Sequence, residues 1–387
     1  MRRLILPVFF LSTFIITACG ESPTPPEVSS SDLSLQAARG PGASKVKFIA
    51  VAPSSVTVLV GQTTQLTAAT RPPNVSVLWT TADPAIATVS QSGVVTGVGA
   101  GITTIAASAG GKADSSTITV TATSGSFETF VGAGDIAYCL STGDEATADL
   151  LDAIPGTVFT LGDNAYTNGT AQEFTDCYSP TWGRHKDRTK PSPGNHDYNT
   201  LGATGYYGYF GAAAGDPSTG YYSYNLGDWH VIALNSNLPQ DPGSAQDTWL
   251  RADLAANTKS CTLAYWHHPR FSSGAEHGDD VTIAPFWNAL YEANADVILS
   301  GHDHDYERFA PQTPAGVADA SRGIREFIVG TGGRSHYALG TLKANSEVFN
   351  GTTYGVLKLT LSPGSYSWQF VPIAGEIFTD SGSGTCH

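Results

Sequence analysis

An antiparallel β-sandwich followed by an α/β domain is the architecture that this 387-residue sequence predicts, and three patterns predict it. From Val46 to about Thr123, short runs such as Ser55-Val56-Thr57-Val58-Leu59-Val60 and Ser116-Thr117-Ile118-Thr119-Val120 alternate polar and apolar residues between glycine turns. That period of two marks strands with one buried face. From Phe127 onward, apolar runs alternate with amphipathic helical patterns, as expected of sheets covered by helices. Thr123–Ser126 reads as a hinge between the two.

The chain opens with Arg2 and Arg3, an apolar run from Leu4 to Ile16, and small residues up to Cys19, the pattern of a secretory leader over 1–18. The run is shorter than the roughly 20 apolar residues of a spanning helix. Ile16-Thr17-Ala18-Cys19 resembles the lipobox of bacterial lipoproteins, which implies cleavage before Cys19 and a lipid on that residue. Residues 19–45, with the Ser/Pro-rich stretch Glu21–Ser31, then form a tether to the membrane surface. The expected location is the bacterial cell envelope or cell surface, with simple secretion as the alternative.

Five cysteines, less Cys19, leave Cys139, Cys177, Cys261 and Cys386, an even set for an oxidising compartment. Three pairings are possible. Cys139 with Cys177 is favoured because each lies downstream of a short glycine-led block, Gly134–Ala137 and Gly162–Tyr166, and the two blocks must converge, which leaves Cys261 with Cys386. The formal charge of −14 becomes −16 when the two arginines leave with the leader, so broad nucleic-acid binding is not expected. An anionic small-molecule substrate is still compatible, because the local field of a site need not follow the net charge.

In the N-terminal domain, residues 46–123, no His, Cys or acidic cluster occurs. Leu78-Trp79-Thr80, Ala87-Thr88-Val89-Ser90, Gly93-Val94-Val95-Thr96-Gly97 and Gly101-Ile102-Thr103-Thr104-Ile105 resemble the bacterial immunoglobulin-like modules of group 2. A spacer role is favoured over recognition of a surface partner or carbohydrate, since fold alone carries no function.

The second domain, residues 127–387, has strand patterns at Thr129–Gly132, Thr157–Leu161, Trp229–Leu234, Thr262–Trp266, Val297–Leu299 and Glu326–Val329. Helical patterns cover Ala245–Asn257, with Trp249, Leu250 and Leu254 on one face, and Ile283–Asn294, with Phe286, Trp287, Leu290 and Tyr291. Five short blocks punctuate them: GDIA at Gly134–Ala137, GDNAY at Gly162–Tyr166, GNHD at Gly194–Asp197, WHHP at Trp266–Pro269 and GHDH at Gly301–His304. Most stand at strand ends, where α/β folds bind ligands. Their Asp, Asn and His donors suit iron, zinc or manganese.

The order and content of these blocks resemble the calcineurin-like metallophosphoesterases, and within them the purple acid phosphatases, over essentially all of the second domain. The resemblance implies layered α-β-β-α packing and two metal ions. It places Asp135, Asp163, Tyr166 and His304 on the first ion, and Asn195, His267 and His302 on the second, with Asp163 bridging. Tyr166, third after the bridging aspartate, is characteristic of the purple subgroup and implies Fe(III) paired with Fe, Zn or Mn(II). Adjacent extended residues face opposite ways, which separates the ligand His267 from His268. The same rule puts His302 and His304 on one face if their backbone is extended.

Among the remaining residues, His196 follows the ligand Asn195 and is the expected proton donor, with Asp197 either orienting its ring or capping the next turn. His268 is expected near the ions or the substrate, and His277 in the loop Phe271–Asp280 is a further substrate-facing candidate. His185, His230, His336 and His387 read as packed or solvated. The aromatic cluster Tyr206, Tyr207, Tyr209, Phe210, Tyr221, Tyr222 and Tyr224 reads as packing or cleft lining. GTGG at Gly330–Gly333 reads as a turn, with Arg334 or His336 in reach of the pocket.

The implied reaction is hydrolysis of a small phosphate monoester by in-line attack of a metal-bound hydroxide, with His196 assisting the leaving group. The alternatives are a phosphodiesterase on nucleotides or lipid head groups, and a surface adhesion protein with a vestigial phosphatase domain. Intact ligand candidates in all five blocks argue against the last.

Overall fold

The computed structural model describes residues 46–121 and 127–387. The leader, the Cys19 lipidation site, the tether and the Thr123–Ser126 hinge lie outside the described residues. Chain contacts divide the protein into two compact units, the first built mainly from residues 46–119 and the second mainly from Val120–His387.

In the first unit, Ser55–Leu59, Lys112–Thr121, Gly101–Ala109 and Leu78–Thr81 form a four-stranded sheet in that order. Thr63–Gln65, Val94–Gly97 and Ala87–Val89 form a second sheet, and Phe48–Ala52 pairs with Thr67–Arg71. The alternation in the sequence has its expected cause: Ile118 and Val120 are buried while Thr117 is exposed. Trp79, Val95, Ile105 and Ile118 make the core of this immunoglobulin-like sandwich.

The second unit has two mixed sheets. One runs Thr189–Ser192, Thr157–Leu161, Glu128–Ala133, Gly355–Ser362, Ser365–Pro372, Ser381–Thr385. The other runs Tyr222–Leu226, Trp229–Ala233, Cys261–Tyr265, Val297–Ser300, Arg325–Val329, Tyr306–Phe309, Ser346–Asn350. The first three strands of one sheet are mutually parallel, as are four consecutive strands of the other, Trp229–Ala233 through Arg325–Val329. Strands Trp229–Ala233, Cys261–Tyr265 and Val297–Ser300 are buried along their whole length, which is why they read as continuous apolar runs.

Phe130 lies 5.8 Å from Tyr265, and Phe159 6.3 Å from it, so rings of the two sheets meet in one core. Helices Ala245–Ala256 and Ala284–Glu292 cover the far face of the second sheet through Leu250, Phe286, Trp287 and Leu290. Ser244 caps the first by accepting a hydrogen bond from the Asp247 N–H. The second ends at Glu292, short of the expected Asn294, because Asn294 adopts a left-handed backbone at φ 57°. Gly143–Ala153 packs Ala148 and Leu151 onto the first sheet. The layering is therefore α-β-β-α. Gly143–Ala153 has no counterpart in the sequence reading; its inward face mixes the polar Asp144 and Thr147 with Ala148 and Leu151.

The tyrosine-rich segment Tyr206–Phe210 packs against Phe174 and Tyr178 rather than lining a cleft. Tyr222 and Tyr224 lie against the Tyr265 hydroxyl, and Tyr221 against Trp249. Both disulfides form as favoured, Cys139–Cys177 and Cys261–Cys386, with Cα atoms 4.9 and 5.4 Å apart. They close loops of 38 and 125 residues. In the chain-entropy picture these restrain the unfolded state by about 4 and about 5 kcal/mol.

Asp144, in the first turn of Gly143–Ala153, is 3% exposed. Burial lifts its carboxyl to about 6, against the favourable hydrogen bonds of its own helix end and Thr181. The folded state then holds this proton more tightly than the unfolded chain, whose value is 3.8. Its contribution to stability is full below that value and is lost as pH rises through about 6. Asp144→Asn should flatten the fall in melting temperature between pH 4 and 7 relative to wild type; an unchanged difference across that range would contradict the assignment.

Candidate metal centre

Six loops meet at one edge of the paired sheets, each following the carboxyl end of a parallel strand. They follow Ala133, Leu161, Ser192, Tyr265, Ser300 and Val329. Backbone hydrogen bonds tie them together: Asp135 N–H to Gly162 O at 3.1 Å, Gly301 N–H to His267 O at 3.0 Å, and Gly332 N–H to Gly134 O at 2.9 Å. Asp135, Asp163 and His302 all have left-handed backbones, with φ of 60°, 50° and 71°. Such conformations cost energy for these residue types, and the cross-tied loops hold them.

Two clusters of donor atoms result. Tyr166 Oη lies 2.8 Å from Asp135 Oδ1, 2.9 Å from Asp163 Oδ2 and 3.2 Å from His304 Nε2. His267 Nε2 lies 3.0 Å from Asn195 Oδ1, 3.1 Å from His302 Nδ1 and 3.4 Å from Asp163 Oδ1. Asp163 thus presents one carboxylate oxygen to each cluster. All seven predicted metal ligands are brought together, three in one cluster, three in the other and Asp163 between.

The donor chemistry calls for cations. A single phenolic proton on Tyr166 faces two carboxylate oxygens, Asp135 Oδ1 and Asp163 Oδ2. His267 Nδ1 donates to Leu161 O at 2.7 Å, so its Nε2 lone pair points among the oxygens and nitrogen of the second cluster. Burial opposes charging of His267, yet the Asp163 carboxylate outweighs it and raises this imidazole to about 9. A proton there stands where a metal ion fits. Burial raises the Tyr166 phenol well above its ordinary value, and Asp135 and Asp163 add to the shift, so it ionises only against a strong local cation. Burial, then the neighbouring histidines, hold His302 far below the ordinary imidazole range.

Glycine at 194 is dictated by geometry: a Cβ there would lie 2.1 Å from Asp163 Oδ1 and 2.3 Å from its nitrogen. The GTGG turn is more than a turn for the same reason. A Cβ on Gly330 would lie 2.0 Å from Asp303 O and 2.9 Å from Asp135 Oδ2, and Arg334 N–H reaches Asp135 O at 2.9 Å, so this segment packs directly against Asp135.

Around the clusters stand the other candidates. The His196 ring packs on Tyr166 at 4.5 Å, its Nδ1 donates to Thr167 O at 2.7 Å, and its Nε2 lies 3.9 Å from Asp163 Oδ2. Asp197 does not orient it. That buried carboxylate accepts instead from Gly194 N–H at 2.9 Å and from the Asn164 side chain at 2.9 Å, fixing the loop beneath; burial, then Asp163, raise it to about 7.

His268 contradicts the opposite-face argument. Its ring lies 4.9 Å from His267 and 4.4 Å from His302, and donor atoms of the three lie within 4.8 Å of one another. The strand ends at Tyr265, so alternation does not govern 267 and 268. Ser236 holds the ring through its Oγ, 2.7 Å from Nδ1. His302 and His304 likewise reach separate clusters through a left-handed turn at His302, not an extended segment. His277 stacks on His302 at 3.9 Å.

Sequence reasoning missed the residues that steady these groups. Asp303 accepts from Ser272 Oγ at 2.5 Å and from the N–H groups of His277 and Gly278 at 3.3 and 3.1 Å, anchoring the His277 loop. Ser335 Oγ lies 2.6 Å from His304 Nδ1, and the Tyr337 ring stacks on His304 at 4.0 Å. The middle Asp of GHDH was the only available signal. His185, His230 and His387 pair with Asp152, Asp253 and Asp296, away from the clusters.

Residues 45–120 match the bacterial Ig-like domain (group 2), and residues 129–306 match the calcineurin-like phosphoesterase family. Purple acid phosphatase 15 of Arabidopsis thaliana is 28% identical over 211 residues, covering 45% of this chain and 40% of that protein. Purple acid phosphatase 21 of the same plant is 35% identical over 97 residues, covering 24% and 22%. The matched stretches span less than half of either relative. In fold, the chain is similar to a purple acid phosphatase from yellow lupin (Lupinus luteus) seeds, with a TM-score of 0.56 at 15% identity over 84% of this chain and 68% of that one. It is also similar to GAP50, the anchor in the inner membrane complex of Plasmodium, with a TM-score of 0.51 at 16% identity over 66% and 88%. A fold shared with a protein described as an anchor leaves activity to be argued from the site.

Proposed function

We propose that this chain, which carries a bacterial Ig-like domain ahead of a calcineurin-like phosphoesterase domain similar to the purple acid phosphatases, is a two-metal phosphatase acting on phosphate monoesters. The observation that carries the reading is the pair of donor clusters sharing Asp163. Asp135, Asp163, Tyr166 and His304 would hold one ion, and Asp163, Asn195, His267 and His302 the other. A phenolate among hard donors favours Fe(III) at the first position, with Fe, Zn or Mn(II) at the second. When bound, the ions supply Lewis acidity and a nucleophile from water at moderate pH.

The chain's own residues do the rest. Leu161 O and Ser335 Oγ fix the rings of His267 and His304. With Nδ1 donating to Thr167 O, His196 presents Nε2 beside the Asp163 carboxylate, and as the imidazolium it can pass the Nε2 proton to the departing alkoxide oxygen and be left neutral. His268 and His277 flank the second cluster on the side where substrate oxygens would enter. No helix among the described residues is long and apolar enough to cross a membrane. A lipid on Cys19 would hold the enzyme at the envelope surface, with the Ig-like domain as spacer.

The test compares hydrolysis of 4-nitrophenyl phosphate with that of the matching diester by metal-loaded protein. Faster monoester turnover supports the proposal; diester preference replaces it with a phosphodiesterase. Tyr166→Phe should abolish visible phenolate-to-iron absorption, and a coloured variant that keeps its band would place the chromophore elsewhere.

A further inference from the structure

Trp266-His267-His268-Pro269 brings two adjacent histidines to the second donor cluster, and the sequence pattern accounts for only the first of them. Three ties hold His268 there. Its N–H donates to Ser236 Oγ at 3.2 Å, its carbonyl accepts the Trp266 indole N–H at 2.7 Å, and Ser236 Oγ lies 2.7 Å from its Nδ1. With Nδ1 engaged, Nε2 is the nitrogen left for a ligand. His267 and His304 are braced in the same way, with Nδ1 2.7 Å from Leu161 O in one and 2.6 Å from Ser335 Oγ in the other. One donor atom from each of His267, His268 and His302 lies within 4.8 Å of the other two. Nitrogen ligands stand about 2.0–2.1 Å from a zinc ion, so opposite ones are about 4.2 Å apart, and side-chain shifts below about 1 Å close the three onto one ion. The planes of His267 and His268 meet at 80° and those of His268 and His302 at 55°, so the rings converge without stacking. His277, by contrast, lies nearly face to face on His302, at 24° between planes, and among the described residues joins no such group.

We propose that His268 is itself a ligand of the second ion, so that three imidazoles, the Asn195 amide oxygen and the Asp163 carboxylate hold it. The inference rests on the two-metal reading above and moves His268 from the flank of the second cluster into its ligand set. Five protein donors leave an octahedral ion one open position, which a catalytic site requires. The third imidazole also changes which metal the site selects. Imidazole nitrogen suits zinc and iron, whereas manganese is held mainly by carboxylate, carbonyl and water oxygens. His268 therefore turns the second position towards Zn(II) or Fe(II) and away from Mn(II).

The experiment loads the full chain, labelled with nitrogen-15 at histidine, with zinc and counts the imidazoles whose ring nitrogens shift on metal binding in the NMR spectrum. Four are expected, those of His267, His268, His302 and His304. His268→Ala should remove one of the four and weaken zinc binding at one of the two positions by about 10- to 100-fold in chelator competition, leaving the other within about 3-fold. His277→Ala should keep all four. Three shifted imidazoles in wild type, or a fourth that survives His268→Ala, would overturn the assignment. Should the variants fail to fold, the wild-type count decides. A wild type that binds fewer than two zinc ions defeats the two-metal reading itself, which is a separate result.

Discussion

Asp163→Ala is expected to yield a protein that retains neither metal ion and has lost at least about 10³-fold in activity, because Lewis-acid stabilisation is worth several kcal/mol. The reason is geometric. One carboxylate oxygen lies 2.9 Å from Tyr166 Oη in the first cluster, and the other lies 3.4 Å from His267 Nε2 in the second. The second oxygen also accepts the His196 N–H at 2.8 Å, so the loop bearing Asn195 hangs on it. Alanine at a left-handed position adds backbone strain, with φ at 50°. Asp163→Asn separates the two effects, since asparagine tolerates that conformation. It should keep the fold and still lose metal. Elemental analysis after dialysis reads the result, and two ions retained by either variant would contradict a bridging role.

His196→Ala is expected to keep both ions and lose about 10²- to 10⁴-fold in kcat, the usual worth of a positioned proton donor. Neither donor cluster contains its imidazole, whose Nδ1 is engaged by Thr167 O. The loss should depend on the leaving group. An alkyl phosphate, whose alkoxide needs a proton, should suffer far more than 4-nitrophenyl phosphate, whose phenolate leaves without one. Equal losses on the two substrates would show that His196 binds the phosphoryl group instead of protonating the departing oxygen.

How much was legible depends on the range over which each signal acts. Thr157–Leu161 and Ala245–Ala256 were readable because a strand or helix buries residues at a fixed local period. The five blocks were readable because ligand type and spacing survive in one dimension. Gly143–Ala153 was not, since its inward face mixes the polar Asp144 and Thr147 with Ala148 and Leu151. The opposite-face argument for His267 and His268 failed because a rule for strands was carried past Tyr265, where the strand ends. Asp197 was misread because its partners, Asn164 and Gly194, are chosen by loop packing.

By itself, then, the sequence determined the two-domain order, the strand ends that bear the blocks, and which side chains are available to hold metal. It did so because hydrophobic period and donor chemistry are properties of neighbouring residues. Only the tertiary structure decided that Asp163 offers one oxygen to each cluster and that Asp303, Ser335 and Tyr337 brace the residues around them. Those relations join segments far apart in the chain. They exist only once two sheets pack and bring six strand ends to one edge.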